Sequence, residues 1–311
     1  MVLQPQSICD VPGIRVGHAQ NDEARTGCTI VLPVGGAVAG VDIRGSAPGT
    51  RDIETIKLVR LVPRIDAVLF TGGSAFGLDA TGGVLQYLEE RGLGFDTGVV
   101  PVPIVPTAVV FDLYEGDAKV RPDKQMGYEA AGNASADRPL EGRVGAGRGA
   151  TVGKVLGPRN CMKGGVGTAC DRLGDLFVGA LVVVNAMGDI VDAQNSAIIA
   201  GARNPESGDF VDAEHYLKSH TVAGIKAGTN TTLAVVATDA RLSREEITKV
   251  AQMAQDGFAR VIRPAHTPFD GDLIVGLSVG EKAGETLSIG SAAVEVVARA
   301  ILRAVSTAND L

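Results

Sequence analysis

Leu176–Asn185 reads LFVGALVVVN and Leu233–Thr238 reads LAVVAT. Both runs are short, rich in β-branched residues and bounded by Gly, Asp or Asn, which suits strands better than helices. Thr29–Pro33 (TIVLP), Ala67–Phe70 (AVLF) and Leu273–Val279 (LIVGLSV) repeat the pattern. Helical stretches alternate with them. Ser243 and Glu246 form an S-x-x-E capping box, and Ile247, Val250, Ala251, Ala254, Phe258 and Val261 follow at three- and four-residue spacing. A helix is therefore expected over Ser243–Ile262. Two more are expected over Ser74–Arg91, despite Gly82 and Gly83, and over Ser291–Val305. Strands mixed with helices predict an α/β or α+β layered fold.

The composition supports a packed chain. Of 311 residues, 45% are hydrophobic and 21% charged, too apolar for disorder. The 41 glycines show no triplet period, so they read as tight turns and close approaches, not collagen. Aromatics are only 4% and the net charge is −7, which argues against nucleic acid as a partner. The N-terminus lacks a basic segment followed by an apolar one, and no run of about 18 uncharged apolar residues occurs, so neither a signal peptide nor a membrane span is expected. Cys9, Cys28, Cys161 and Cys170 form no C-x-x-C pair and lack a histidine at zinc spacing. They read as packing residues of a reduced, cytoplasmic protein.

Most of the other motifs have plain readings. Gly145, Gly147 and Ala150 fit G-x-G-x-x-A, but no convincing strand precedes them. Lys154 follows Gly153, yet Arg148 stands where a P-loop needs glycine and Val155 where it needs Ser or Thr. The zones Gly142–Gly153 and Lys163–Thr168 thus read as turns or close packing. Gly72-Gly73-Ser74-Ala75-Phe76-Gly77 misses the nucleophile elbow by one position. His18, His215, His220 and His266 are scattered, and the five-residue gap between His215 and His220 is not that of a helical metal pair. The polar stretch Asn204–Asn230 reads as an exposed loop or linker.

Two segments allow chemistry. Asn230-Thr231-Thr232 stands at a strand entry, where the plain reading is β propensity. A threonine at a chain terminus has a second reading: its own α-amine can act as base for its hydroxyl. Phe269-Asp270-Gly271-Asp272 precedes another strand. The plain reading is a turn with solvated carboxylates. In extended chain, Asp270 and Asp272 point to one side, where they would orient and charge-balance a neighbouring amine and hydroxyl.

NTTLAVVATDA and HTPFDGD, with DVPGIRVGH, DIRGSAPGTR, KGGVGTA and VVVNAMGD, run in one order over nearly the whole chain. Together they resemble the family of L-aminopeptidase/D-esterases and β-peptidyl aminopeptidases, which includes the nylon-oligomer (6-aminohexanoate-oligomer) hydrolase. The resemblance implies a four-layer αββα sandwich similar to the N-terminal-nucleophile hydrolases. It implies one hydrolase domain over residues 1–311, cut between Asn230 and Thr231 into 1–230 and 231–311. By resemblance Thr231 is the nucleophile and Asp270 and Asp272 are its orienters. Asn185 is a donor to the oxyanion, and Lys163 and Tyr128 line the site. Aminopeptidase members typically carry a Ser nucleophile and Ser-Gly-Glu. Thr231 and Asp270-Gly271-Asp272 are nearer to the nylon-oligomer hydrolase type.

The expected activity is hydrolysis of short peptides, amino-acid amides or ω-amino-acid oligomers through an acyl-enzyme on Thr231. Neither a metal nor an organic cofactor is expected. The resemblance also implies a homo-oligomer, tetramer or larger, of processed heterodimers. The alternative is an unprocessed, non-enzymatic protein binding a small ligand on the same scaffold.

Overall fold

The computed structural model describes residues 6–220 and 229–311; residues 221–228 of the expected polar linker lie outside it. Two five-stranded sheets form the centre. The inner sheet has the order β11-β12-β15-β17-β3: β11 is Gly165–Leu173, β12 Leu176–Asn185, β15 Thr231–Ala240, β17 Leu273–Lys282 and β3 Val38–Ile43. The outer sheet has the order β1-β2-β5-β8-β4: β1 is Ile14–Asn21, β2 Thr26–Pro33, β5 Val68–Thr71, β8 Thr107–Val109 and β4 Thr50–Arg51. Smaller ladders join β6 (Phe95–Asp96) to β7 (Pro101–Val102), β9 (Thr151–Val152) to β10 (Met162–Lys163), and β13 (Asp189–Val191) to both β14 (Ile198–Ala200) and β16 (Ile262–Arg263).

Helices cover both outer faces, which gives the αββα layering. The helices α4 (Arg244–Val261) and α5 (Thr286–Asn309) pack on the inner sheet and on each other. On the far side α1 (Thr81–Glu89) and α2 (Lys124–Gly132) cover the outer sheet, while α3 (Ala213–Ser219) lies apart.

The strand period of two sorts the apolar runs into layers. On β12, Val178, Ala180, Val182 and Val184 face α4 and α5, whereas Leu181 and Val183 face the outer sheet. β15 divides in the same way, with Ala234 and Val236 on one side and Leu233, Val235 and Ala237 on the other. A run apolar at every position is what a strand buried on both faces requires. Each fully buried Val or Leu contributes about 1.5–3 kcal/mol of transfer free energy. β15 connects through α4 to β17, its parallel neighbour.

Ser243 caps α4 with the expected reciprocal box: its hydroxyl accepts from Glu246 N at 3.2 Å, and its own N–H donates to the Glu246 carboxylate at 2.7 Å. The last helix is longer than its apolar core implied. The stretch 74–91 is not one helix. It opens with Ser74 at φ 53°, winds as a 3-10 helix over Ser74–Ala80, and becomes α-helical only at Thr81. Gly83, a mark against the helix in the sequence, is what lets α1 touch α2: a Cβ there would meet Lys124 O at 1.7 Å. The glycine zone around 145 is a turn packed on the outer sheet, with Gly145 N donating to Gln20 Oε1 at 2.7 Å and Ala146 N to Thr29 Oγ1 at 3.0 Å. The polar stretch after 204 contains α3, capped by Asp212, and ends in buried chain at Asn230 rather than in solvent. Among the described residues, no helix is long and apolar enough to cross a membrane.

Candidate active site

Three chain segments meet at one end of the inner sheet. β12 ends at Asn185, directly opposite Thr231, the first residue of β15. β17 runs parallel to β15, so the turn that precedes it, Asp270–Asp272, arrives at the same end. The chain after β3 clamps this turn. Arg44 N donates to Asp272 O at 3.0 Å, and Ala47 N to Asp270 O at 2.9 Å. The DIRGSAPG segment thereby acts as a backbone support for the two aspartates.

The Thr231 hydroxyl lies against the carbonyl oxygen of Asn230, the residue just before it. That oxygen also accepts from Gly271 N at 2.9 Å. A hydroxyl, the carbonyl oxygen it donates to and a backbone donor on that same oxygen are therefore already assembled. The approach is close enough to require glycine, since a Cβ at Gly271 would sit 2.9 Å from the Thr231 hydroxyl. Thr231 is only 4% exposed and Asn230 is 0% exposed.

Both aspartates are buried beside Thr231, each with its own partners. Asp272 Oδ1 accepts from Thr232 N at 2.7 Å, and its Oδ2 accepts from His266 N at 3.1 Å and lies 2.9 Å from His266 Nδ1. Asp270 accepts from Thr267 N at 2.9 Å, from the Thr267 hydroxyl and, more weakly, from Met187 N at 3.4 Å. Burial, then the neighbouring Asp272 charge, pushes the Asp270 carboxyl up to about 6, against the hydrogen bonds from Thr267 and the attraction of Lys154. Asp270 also forms a parallel bridge with Asn230.

Lys154 is the lysine of this site. Its ammonium donates to Asn185 Oδ1 at 2.9 Å, Asn185 O at 3.0 Å and Thr229 O at 3.1 Å. Burial lowers it to about 8, opposed by Cys161, Asp270, Asp112 and Asp272. The lysine carried over by resemblance, Lys163, is elsewhere: it lies exposed on β10, where its backbone pairs with the Asn309 side chain. Tyr128 is not brought here either. It sits on α2 in the outermost layer, donates its hydroxyl to Glu90 at 2.7 Å and packs edge-on against Tyr87.

Asn185 is at the site, but its amide nitrogen points to a different oxygen from the one expected. Lys154 and Thr151 N both donate to Oδ1, which fixes the amide orientation. Nδ2 therefore faces Phe111 O at 3.3 Å and Thr229 O at 3.4 Å, one residue before the carbonyl that Gly271 holds. Lys154, His266, Thr267 and Gly271 were not singled out from the sequence. HTPFDGD contained three of them. Lys154 carried only the failed phosphate-loop signal, which gave no hint that its loop folds back onto β12.

A profile of peptidase family S58 matches residues 6–311. An uncharacterized aminopeptidase of Mycobacterium bovis is 41% identical, the match covering 98% of this chain and 95% of that one. A 6-aminohexanoate-oligomer endohydrolase of Kocuria sp. is 33% identical, over 88% of this chain and 74% of that one. Among solved structures, the L-aminopeptidase D-ala-esterase/amidase of Ochrobactrum anthropi, a variant of the Ntn hydrolase fold, superposes with a TM-score of 0.75 at 20% identity, covering 98% of this chain and 87% of that one. The αββα layering is thus an Ntn-type fold.

Proposed function

The chain belongs to peptidase family S58, a family of amide-bond hydrolases, and we propose that its chemistry begins with a break in its own backbone between Asn230 and Thr231. The reading is carried by one observation: the Thr231 hydroxyl lies against the Asn230 carbonyl, whose oxygen Gly271 N already holds at 2.9 Å.

In the uncut chain the hydroxyl adds to the Asn230 carbon, and Gly271 N–H stabilises the oxyanion that develops. One such donor is worth about 2.7–4 kcal/mol in related chemistry. We assign the hydroxyl proton to Asp270, a carboxyl raised by burial whose backbone bridges Asn230. The C–N bond then breaks as the proton passes from Asp270 to the departing Thr231 nitrogen, leaving an ester on the hydroxyl and a free amine on Thr231, and water hydrolyses the ester to the Asn230 carboxylic acid and the free hydroxyl. The α-amine, with an ordinary pKa near 7.7–8.0, thereafter serves as base for the same hydroxyl. Asp272, fixed by Thr232 N and His266, and Asp270 hold that amine and set its protonation.

The substrates we assign are short peptides, amino-acid amides and amide oligomers, the classes suggested by relatives named as an aminopeptidase and as a 6-aminohexanoate-oligomer endohydrolase. Denaturing mass spectrometry tests the reading. Wild-type protein should give two pieces, 1–230 and 231–311. Thr231→Ala should remain one chain without hydrolase activity. A fully active wild type that stays intact overturns the mechanism, and an intact inactive one favours the ligand-binding alternative.

A further inference from the structure

Turnover at a buried site has to dispose of a proton. In the reading above, on which this inference rests, the Thr231 hydroxyl adds to the substrate carbonyl carbon, and its proton ends on the departing nitrogen as the C–N bond breaks. Water then adds to the acyl carbon and the ester C–O bond breaks. One water hydrogen restores the Thr231 hydroxyl. The other leaves as a proton when the new carboxylic acid ionises. With an anilide, whose aniline stays neutral at neutral pH, one proton per turnover must reach solvent before the Thr231 amine can act as base again. The groups at hand are enclosed: Thr231 is 4% exposed, and Asp270 and Asp272 are 2% exposed each.

His266 joins this enclosure to the surface. Its backbone N–H and ring Nδ1 converge on one oxygen of Asp272, at 3.1 and 2.9 Å. The His266 side chain is 22% exposed, against 3% for that of Asp272. Among the described residues it is the titratable side chain that both bonds one of the two aspartates and reaches the surface. An imidazole can take a proton at one nitrogen and release it at the other. Nδ1 is committed to Asp272, which leaves Nε2 for the outside.

The ring forms part of the wall of an open cavity of about 280 Å³, together with Glu214 of α3, Ala259 of α4 and Arg263 of β16. Three charged groups surround the imidazole. Asp272 is on the inside. On the outside are Glu214, paired with Lys218 at 3.1 Å, and Arg263, which donates to the Ser196 hydroxyl at 3.1 Å. From α4 the ring meets Phe258, stacked with centroids 5.7 Å apart, while Arg260 of the same helix is paired with Glu295.

We propose that His266 is the proton relay between the Asp270–Asp272 pair and solvent, and that this cavity is where water or a small buffer molecule exchanges the proton. His266 acts on the chemistry through Asp272 and does not touch the substrate. Self-cleavage occurs once per chain, and Asp270 returns the hydroxyl proton to the Thr231 nitrogen within the site. The relay therefore serves repeated turnover and not the cut.

The test uses processed enzyme and a reactive amino-acyl anilide. The value of kcat is read in dilute bis-tris, a bulky buffer, and again as imidazole is added at constant pH and ionic strength. Imidazole is a free copy of the missing ring and is small against the cavity. His266→Asn should still process into two pieces, and its kcat should fall about tenfold, less than for loss of a direct acid or base because water substitutes for a relay. Imidazole should recover most of that loss in the variant and leave wild type unchanged. The solvent deuterium isotope effect on kcat should be larger in the variant and shrink as imidazole is added. Ala259→Phe, at an exposed position on the cavity wall, should lower kcat by a smaller factor and raise the isotope effect with His266 in place. In the double variant His266→Asn/Ala259→Phe, imidazole should no longer help. Undiminished kcat in His266→Asn, a loss that imidazole does not repair, an Ala259→Phe enzyme indistinguishable from wild type, or equal repair with the cavity filled overturns the relay. Each of these leaves Thr231-dependent cleavage standing, whereas a fully active wild type that stays one chain overturns both.

Discussion

Two buried aspartates among the described residues have carboxyls pushed up to about 6, and only one of them stands beside Thr231. Asp189 opens β13 and accepts from two backbone amides, Ala202 N at 2.9 Å and Ala213 N at 2.7 Å. It ties the chain after β14 to the first turn of α3. Burial is the main cause of its shift, and the Asp212 charge adds a smaller push in the same direction. Asp270 is raised by the same desolvation, but a second carboxylate and a buried ammonium also act on it, and its backbone bridges Asn230. A raised carboxyl alone therefore reports burial. What separates the two is the company of groups that can exchange a proton or a bond.

Replacing each aspartate in turn should break the comparison open. Asp270→Asn removes the proposed proton acceptor while keeping the shape. Self-cleavage followed by denaturing gel, and kcat on a reactive anilide, should fall by about 10²–10⁴, with denaturant midpoints little changed. Asp189→Ala should do the reverse. It orphans two buried backbone N–H groups and should lower unfolding stability by about 2–4 kcal/mol, with processed material keeping its kcat. An Asp189→Ala protein that is stable but inactive would erase the distinction.

Acidity sharpens the contrast further. A carboxyl whose folded pKa lies above its unfolded value stabilises the fold fully below about pH 4 and loses that contribution as pH rises through about 6. In urea titrations, the stability lead of wild type over Asp189→Asn should therefore shrink between pH 4 and 7, by on the order of 2–3 kcal/mol. Asp270 should instead appear in the rate. Its proton must be off to accept that of the Thr231 hydroxyl, so the rate of self-cleavage should decline on the acid side with a midpoint of about 6. That limb should persist in Asp189→Asn. If it vanishes there, the acid limb is a loss of fold and not a titration of the site.

Burial on both faces leaves a mark in the sequence: LFVGALVVVN and LAVVAT, bounded by turn residues, suit strands better than helices, and they are doubly buried strands of the inner sheet, while the layering itself was legible only as a resemblance. The capping box at Ser243 was equally local. Thr231, Asp270 and Asp272 were legible as a resemblance, and the structure brings them together at one sheet end. The lysine was not. Lys154 follows a glycine and Lys163 precedes two, in neighbouring glycine-rich zones, and spacing does not say which lysine is brought to the end of β12. The breakdown of 74–91 into two kinds of helix was hidden for a related reason. No residue in the sequence marks the change at Thr81, and the left-handed Gly73 and Ser74 set only where the 3-10 segment begins. The direction of the Asn185 amide depends on two donors, Thr151 N and Lys154, that lie about thirty residues away in sequence.

The smallest expected effect concerns how Asp272 is held. His266 offers it two contacts from one residue, the backbone N–H at 3.1 Å and ring Nδ1 at 2.9 Å. The residue lies at φ 56°, and its ring stacks on Phe258 of α4 with centroids 5.7 Å apart. Asp189, by contrast, is held by backbone amides alone. If the ring serves to aim Asp272 at Thr232 N and the new Thr231 amine, its removal should cost rate without cutting the site apart. His266→Asn suits the measurement, since asparagine tolerates left-handed backbone and keeps the N–H. Its kcat/KM should drop by about tenfold, comparable to one hydrogen bond to a charged group, while the protein still processes into two pieces. The loss should lie in kcat, and the pH at which the rate declines should move, because Asp272 is the charge that acts on Asp270. A merely structural ring would lower the melting temperature and leave that pH unchanged, and Asp272 would then be positioned by its backbone partners alone, as Asp189 is.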